Sequence, residues 1–209
     1  MITFTKLLIS FLILITFQIT NYSWGQKLTA EDYLNRGLNN FDKENYSEAI
    51  ADFTKAIEIN PNYAEAYYKR GFVYDTKENY SQAISDYTKA IEINPNYAEA
   101  YNSRGITYTI IQNYTQAIND YTDAIEINPN FADAYYNRGN AYFDLTNYFE
   151  AISDYTKAIE LNPNDASVYY IRGFAYFLTN NLSLACIDWQ KAYKLEYKSA
   201  LELINKHCK

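Results

Sequence analysis

A stretch that returns at a fixed interval constrains this chain more than any other feature of its sequence. Its clearest copy runs from Asn79 to Tyr97 and reads NYSQAISDYTKAIEINPNY. The proline of this stretch recurs every 34 residues, at Pro61, Pro95, Pro129 and Pro163. Such a period predicts a solenoid, in which each repeat contacts mainly its neighbours and one elongated core runs through the array.

Each repeat carries two helical patterns. In the second copy, small and aromatic residues recur at three- and four-residue spacing over residues 67–74 and again over residues 83–91, which indicates two amphipathic helices. Between them, Asn79 and Ser81 are predicted to accept from the first free N–H groups of the second helix, an effect worth about 1 kcal/mol. Proline at position 95 ends that helix, because it disfavours helical geometry before it and donates no hydrogen bond.

Small residues recur at equivalent places in both helices. Glycine inside a helix costs up to about 1 kcal/mol relative to alanine, so a close contact must offset its presence. We expect each glycine of a first helix to face an alanine of the second helix. The glycines are Gly37, Gly71, Gly105, Gly139 and Gly173, and the alanines are Ala49, Ala83, Ala117, Ala151 and Ala185.

This combination of small residues, aromatics and a late proline resembles the tetratricopeptide repeat. The resemblance covers five units, residues 30–63, 64–97, 98–131, 132–165 and 166–199, and residues 200–209 suit a capping helix. It implies an all-α, right-handed superhelical solenoid of antiparallel helix pairs, whose first helices line a concave groove. The implied function is to hold a peptide or helix of another protein in that groove.

Every unit also carries an arginine at its seventh position and an aspartate at its twenty-third. The arginines are Arg36, Arg70, Arg104, Arg138 and Arg172, and the aspartates are Asp52, Asp86, Asp120, Asp154 and Asp188. An arginine beside a close-packed glycine is expected to be partly buried, and an unpaired buried charge is strongly destabilising, so a carboxylate partner is expected. Spacing does not decide whether the pairs form within a unit or between neighbours, and capture of an acidic ligand is the alternative role.

The resemblance also implies which residues line the groove. They are Leu34, Leu38, Tyr68, Phe72, Asn102, Ile106, Tyr136, Asn140, Tyr170 and Phe174. An aromatic lining accepts apolar side chains, and tyrosine hydroxyls add polar contacts. Acidic residues at the second position of four units favour a basic or mixed-charge partner. The alternative is that many of these aromatics form the core between repeats.

The two cysteines, Cys186 and Cys208, both lie near the carboxyl end. In the repeat frame, Cys186 belongs to the last second helix and Cys208 to the capping helix that packs against it, so the two could meet. A disulfide suits an exported protein and would contribute about 3 kcal/mol. Two buried free thiols are the alternative.

The amino-terminal residues lie outside the repeats. Lys6 precedes an apolar run from Leu7 to Ile19, and small residues at Ser23 and Gly25 suit a cleavage site, so we interpret residues 1–25 as a secretory signal peptide and residues 26–29 as a short linker. The apolar run has about 13 residues where a membrane span needs about 20, which disfavours the alternative of an uncleaved anchor. This predicts a periplasmic or secreted protein without a membrane span after cleavage.

The remaining composition excludes several classes of function. The formal net charge is −7 and no run of lysine or arginine is present, which argues against nucleic acid as a partner. The single histidine, His207, lies beside the terminus, and no catalytic or phosphate-binding motif is recognisable, so we expect neither catalysis nor a metal or cofactor. We expect a protein-binding scaffold; the alternatives are a self-assembling homo-oligomer and a protein that binds glycans through its aromatics.

Overall fold

The structure, a computed structural model, describes residues 27–208. The predicted signal peptide and the first residue of the predicted linker lie outside this part of the chain. Eleven helices make up the regular secondary structure of the described residues. They are α1 (Ala30–Asp42), α2 (Tyr46–Ile59), α3 (Ala64–Thr76), α4 (Tyr80–Ile93), α5 (Ala98–Ile110), α6 (Tyr114–Ile127), α7 (Ala132–Asp144), α8 (Tyr148–Leu161), α9 (Ala166–Leu178), α10 (Leu182–Lys194) and α11 (Ala200–His207).

The helices form a solenoid of five pairs, closed at one end by α11, and the predicted all-α fold class is confirmed. Each first helix packs on the second helix of its own repeat, and each second helix packs on the first helix of the next repeat. The first helices also contact one another directly, α1 with α3, α3 with α5 and α5 with α7. They therefore lie on the inner side of the array, and we call the surface formed by α1, α3, α5, α7 and α9 the groove.

Two kinds of turn connect the helices. The turn inside each repeat contains a residue in the left-handed region, with φ near 60° at Glu44 and Glu78, although no glycine is present there. The turn between repeats is built on asparagine and proline: the Oδ1 atom of Asn60 accepts a hydrogen bond from the backbone N–H of Asn62 at 3.2 Å. The predicted cap at Asn79 is wrong, because its side chain makes no capping hydrogen bond.

The glycine that recurs in each first helix lies against an aromatic ring and not against an alanine, so the expected glycine–alanine contact is wrong. A Cβ atom at Gly105 would lie 2.7 Å from the ring of Tyr121, and one at Gly139 would lie 2.7 Å from the ring of Tyr155. Those rings belong to the second helix of the same repeat and are fully buried. The glycine therefore makes room for a large side chain, which fills the space between the two helices.

Each arginine of the repeated set lies against the aspartate of its own repeat. Arg104 donates from Nε and Nη2 to the Asp120 carboxylate at 2.8 and 2.7 Å, and the same two-bond geometry recurs at Arg70, Arg138 and Arg172. The remaining nitrogen, Nη1 of Arg104, donates at 2.9 Å to the hydroxyl of Thr88 in the preceding repeat. This side chain therefore ties both helices of one repeat to the repeat before it.

The first repeat departs from this arrangement. The described chain before Arg36 contains no repeat to supply a threonine, and 52% of the Arg36 side chain is exposed, against 16% for Arg104. Its partner Asp52 receives an additional hydrogen bond from the Asn40 amide at 2.9 Å. Asp52 therefore depends less on its arginine for hydrogen bonds than the aspartates of the other repeats do.

The carboxyl-terminal end is closed by α11, which packs on α10. A disulfide joins Cys186 of α10 to Cys208, directly after α11, with the two Cα atoms 5.6 Å apart. The Phe177 and His207 rings pack with their centroids 4.8 Å apart. The last repeat is therefore covered by a covalently attached helix.

Candidate partner-binding groove

The groove begins with an apolar cavity between α1 and α3. Its volume is about 190 Å³, and its apolar walls are formed by Leu38, Phe41, Phe53, Phe72 and Val73. The Phe41 and Phe72 rings pack edge to face, with centroids 5.5 Å apart, yet 42% of Phe72 remains exposed. Asp42 and Lys69 supply one charge of each sign to the lining. A cavity of this kind accepts an apolar side chain whose backbone lies beside polar groups.

The middle of the groove is polar, because hydrogen bonds cross from one first helix to the next. Thr107 of α5 donates to the Asp75 carboxylate of α3 at 3.0 Å. The Asn137 amide of α7 donates to Oδ1 of Asn102 at 3.1 Å. Tyr155 donates to Oδ1 of Asn140 at 2.8 Å, which fixes the amide of that groove residue. Thr107 and Asn102 are buried, and the partly exposed side chains that these contacts hold in place are Asp75, Asn137 and Asn140.

Two of the predicted groove residues are not available to a partner. Leu34 is buried in the core cluster of the first repeat, against which Tyr63 also packs. Asn102 is buried too, and the hydrogen bond from Asn137 satisfies its side-chain oxygen. The predictions that these side chains line open surface are wrong, because neighbouring residues cover this position of the helix.

Tyrosines from the loops take part in this covering and were not predicted. The Tyr97 ring lies 5.0 Å from the ring of Tyr68, and the Tyr197 ring lies 4.6 Å from the ring of Tyr170. Tyr136 packs toward the buried ring of Tyr155 at 6.1 Å. Three of the four asparagine-proline turns are followed by an aromatic residue, at Tyr63, Tyr97 and Phe131, and this regularity was the signal in the sequence for the layer.

The far end of the groove is lined by aromatic rings that pack on one another. Phe174 lies 5.1 Å from Tyr170 and 5.6 Å from the buried Trp189, measured between ring centroids. Ile106, nearer the middle, is half-buried against the Tyr121 cluster. The contacts of Phe174 with Tyr170 and Trp189 lie within the last repeat, so part of the surface of these side chains packs inside the array and is not open to a partner.

The paired arginines do not lie free on the groove. Arg70, Arg104, Arg138 and Arg172 are largely buried, and the guanidinium groups stack near tyrosine rings at 5.6 to 5.7 Å. Both of their hydrogen-bonding edges are used by aspartate and threonine. They stabilise the array, and the structure places no acidic ligand site on them within residues 27–208.

Comparison with known proteins settles the family. A model described as "TPR repeat" matches residues 37–78, 107–146 and 139–180, and two models described as "Tetratricopeptide repeat" match residues 64–97 and 86–119. The chain belongs to the tetratricopeptide-repeat family. The comparison with curated proteins gave no match.

Solved structures agree with this assignment. A crystal structure of MamA is 29% identical with a TM-score of 0.73, and the match covers 78% of this chain and 96% of MamA. YrrB, described as "a TPR protein with an unusual peptide-binding site", is 25% identical with a TM-score of 0.72 over 84% of this chain and 92% of YrrB. MamA from Desulfovibrio magneticus RS-1, 22% identical with a TM-score of 0.75 over 83% and 98%, shares the fold.

Tetratricopeptide repeats are generally non-catalytic interaction modules, and this chain is a protein-interaction scaffold. Between residues 27 and 208, no group of three or more histidine, cysteine or acidic side chains is arranged to hold a metal ion. Over the same residues, none of the helices combines the length and the apolar character that crossing a bilayer requires.

Proposed function

We propose that this tetratricopeptide-repeat protein binds a peptide or helix of another protein in the groove, and that the bound segment is basic or of mixed charge. The observation that carries the proposal is the apolar cavity beside Phe72. It combines the partly exposed ring of Phe72 with the buried side chains of Phe53 and Val73. Exposed apolar surface rimmed by polar residues is typical of interaction sites. The peptide-binding description of YrrB supports a peptide as the ligand class.

The acidic residues of the groove support a bound segment that is basic or of mixed charge. Acidic residues begin four of the first helices, and these are Glu31, Glu65, Glu99 and Asp133. Asp42 and Asp144 are exposed at the ends of α1 and α7, and Asp75 lies in the middle of the groove surface. Lys69 is the only lysine within the five helices that form the groove. Complementary charge increases the association rate and selects among partners.

A comparison of two phenylalanines tests the proposal. Phe72 lies in the groove, whereas Phe149 lies on the second helix α8 and is 76% exposed. We would capture cross-linked partners from an envelope preparation of the source cells with the wild-type protein, with Phe72→Ala and with Phe149→Ala. We expect one protein to be lost with Phe72→Ala and retained with Phe149→Ala, because only the first change removes part of the cavity wall.

Three other results would contradict groove binding. Capture of the same partner by the wild-type protein and by both variants would place the interaction outside the groove. Capture of the chain itself, together with a multiple of its mass in light scattering, would favour self-assembly. Retention of cell-wall glycan without any protein would favour glycan binding through the aromatics.

We also propose that the protein is exported and acts in the periplasm or outside the cell. The basis is the pattern of residues 1–25 together with the disulfide, which forms in oxidising compartments. Amino-terminal sequencing of the protein from its source should give Gln26 as the first residue or one close to it. A Met1 terminus in the membrane fraction would contradict cleavage.

A further inference from the structure

Asp75 differs from the residues at the equivalent position of the other repeats. Those residues are Phe41, Thr109, Phe143 and Phe177. The Asp75 side chain is half-buried on the groove side of α3, and within residues 27–208 it takes part in no ion pair. A partly buried carboxylate without a positive partner is unfavourable for stability, so its presence calls for an explanation.

The hydrogen bonds of Asp75 leave half of its carboxylate unused. Thr107 donates to Oδ1 at 3.0 Å, and no donor within the described residues reaches Oδ2. Burial raises the pKa of the Asp75 carboxyl above its usual range, and the hydrogen bond from Thr107 offsets only part of that effect. The carboxylate is therefore held in place by one oxygen while the other lacks a donor.

The second observation is an unsatisfied hydroxyl near this carboxylate. Tyr87 of α4 is fully buried, and its hydroxyl makes no hydrogen bond within the described part of the chain. The equivalent hydroxyls of Tyr121 and Tyr155 bond to Thr109 and Asn140. Burial and the nearby charge of Asp75 both raise the pKa of Tyr87. Buried polar groups are nearly always paired, so an orphan hydroxyl at this place indicates a missing partner.

We propose that Asp75 and Tyr87 form a subsite for a cationic side chain, the ammonium of lysine or the guanidinium of arginine, from the segment bound in the groove. The inference rests on the groove-binding function proposed above. A cation carries several N–H donors, which would satisfy the free oxygen of Asp75, whereas the Tyr87 hydroxyl has no exposed surface and would stabilise the cation through its dipole without contacting it. The ring of Tyr68 packs near Tyr87, with the two ring centroids 5.8 Å apart.

Lys69, the only lysine of the groove helices, forms no ion pair with Asp75, so the Asp75 carboxylate is left for a cation from outside the chain. Its Nζ atom lies 5.5 Å from the centroid of the Tyr68 ring, and its side chain lines the apolar cavity together with Asp42. That cavity lies between α1 and α3, whereas Asp75 bonds to α5. The preferred segment therefore carries an apolar residue for the cavity and a basic residue farther along, at one fixed spacing.

Selection from a phage-displayed library of random linear peptides tests this subsite. With the wild-type protein we expect enriched peptides to carry lysine or arginine at a fixed distance from an apolar residue. With Asp75→Asn, which keeps the size of the side chain and an acceptor for Thr107, we expect the apolar preference to remain and the basic preference to disappear. Glu126→Gln removes an exposed acid on the second helix α6, outside the groove, and is the matched control.

The affinity of one enriched peptide then separates binding from folding. Asp75→Asn should weaken the affinity for a lysine-containing peptide about tenfold or more, because a charge-assisted hydrogen bond is lost. When norleucine replaces the lysine of that peptide, the same substitution should change the affinity by less than about twofold. Tyr87→Phe should also weaken binding of the lysine peptide while leaving thermal stability equal or higher, since it removes an unpaired hydroxyl. Tyr121→Phe, whose hydroxyl is already bonded to Thr109, should leave the affinity unchanged.

The outcomes distinguish the subsite from the proposed function. Peptides enriched without a basic residue, or a basic preference that survives Asp75→Asn, would overturn the cation subsite and leave groove binding standing. A wild-type protein that enriches no peptide at all would overturn groove binding and the subsite together.

Discussion

Replacing Arg104 by leucine should lower the free energy of unfolding by about 3–5 kcal/mol, the range found when one partner of a buried ion pair is removed. Asp120 is 4% exposed and receives two hydrogen bonds from Arg104. Leucine keeps much of the apolar stem that packs near Tyr101 but leaves both carboxylate oxygens without these donors. The variant also loses the bond to Thr88, which joins the repeat to the preceding one.

The first repeat supplies a matched control for this prediction. Arg36→Leu removes the same residue type from the same position, but Arg36 is half exposed and Asp52 keeps the hydrogen bond from Asn40. Asp52 is only 5% exposed, but removal of the half-exposed Arg36 side chain opens its carboxylate to water, and the amide remains, so we expect a loss of about 1 kcal/mol, near that of exposed pairs. The two variants should therefore differ by about 2–4 kcal/mol.

Urea unfolding followed by circular dichroism measures both values, and equal slopes in the transitions would indicate that the same surface unfolds. The double variant Arg104→Leu, Asp120→Leu should recover most of the loss, because an apolar pair leaves no charge buried. An Arg104→Leu protein with wild-type stability that fails to bind its partner would refute the structural role and favour a ligand site. A double variant that loses the sum of the two single effects would refute the pairing.

The remaining predictions concern the disulfide, a helix contact and a groove carboxylate. Cys208→Ser should lower the free energy of unfolding by about 3 kcal/mol, and reduction of the wild-type protein should reproduce that loss in the same urea assay. Gly139→Ala should lower it by about 1–2 kcal/mol, because the new methyl group would lie 2.7 Å from the Tyr155 ring; an unchanged midpoint would contradict this close contact. Asp75→Asn should raise stability at neutral pH, since the raised pKa means that stability is lost as pH rises through it. Thermal melts should show this gain disappearing below the usual aspartate pKa of 3.8, and a gain that is constant with pH would contradict the explanation.

The repeat period and the two helical patterns of each unit were sufficient to predict the solenoid, because both depend on spacing alone. Spacing did not decide which aspartate meets Arg104, since that depends on how far the second helix is rotated about its axis. The structure places the partner in the same repeat and adds Thr88 from the preceding one. The threonine recurs in four of the five repeats and the aspartate in all five, but nothing in the pattern identified the threonine as an acceptor.

The groove was less predictable than the fold. Position in the repeat placed Leu34 and Asn102 on the inner face of their helices, and neighbouring residues cover both. Whether a groove position is open depends on the size of residues in another helix or loop, which one repeat cannot reveal. The predicted glycine–alanine contact was wrong for the same reason. A small residue indicates a close contact, but the sequence does not say whether alanine or an aromatic ring makes it.

The arginine bridge between repeats has a consequence for how such an array changes length. Each internal repeat brings its own arginine and aspartate and offers a threonine to the repeat that follows, so a duplicated unit inserted in the middle would find its hydrogen bonds already provided. The series stops at both ends: Arg36 has no preceding threonine among the described residues, and Gln190 occupies the threonine position in the last repeat. Duplication within the array therefore preserves every arginine–threonine bridge, whereas extension beyond α10 would need a new acceptor and the removal of the helix that the disulfide holds in place.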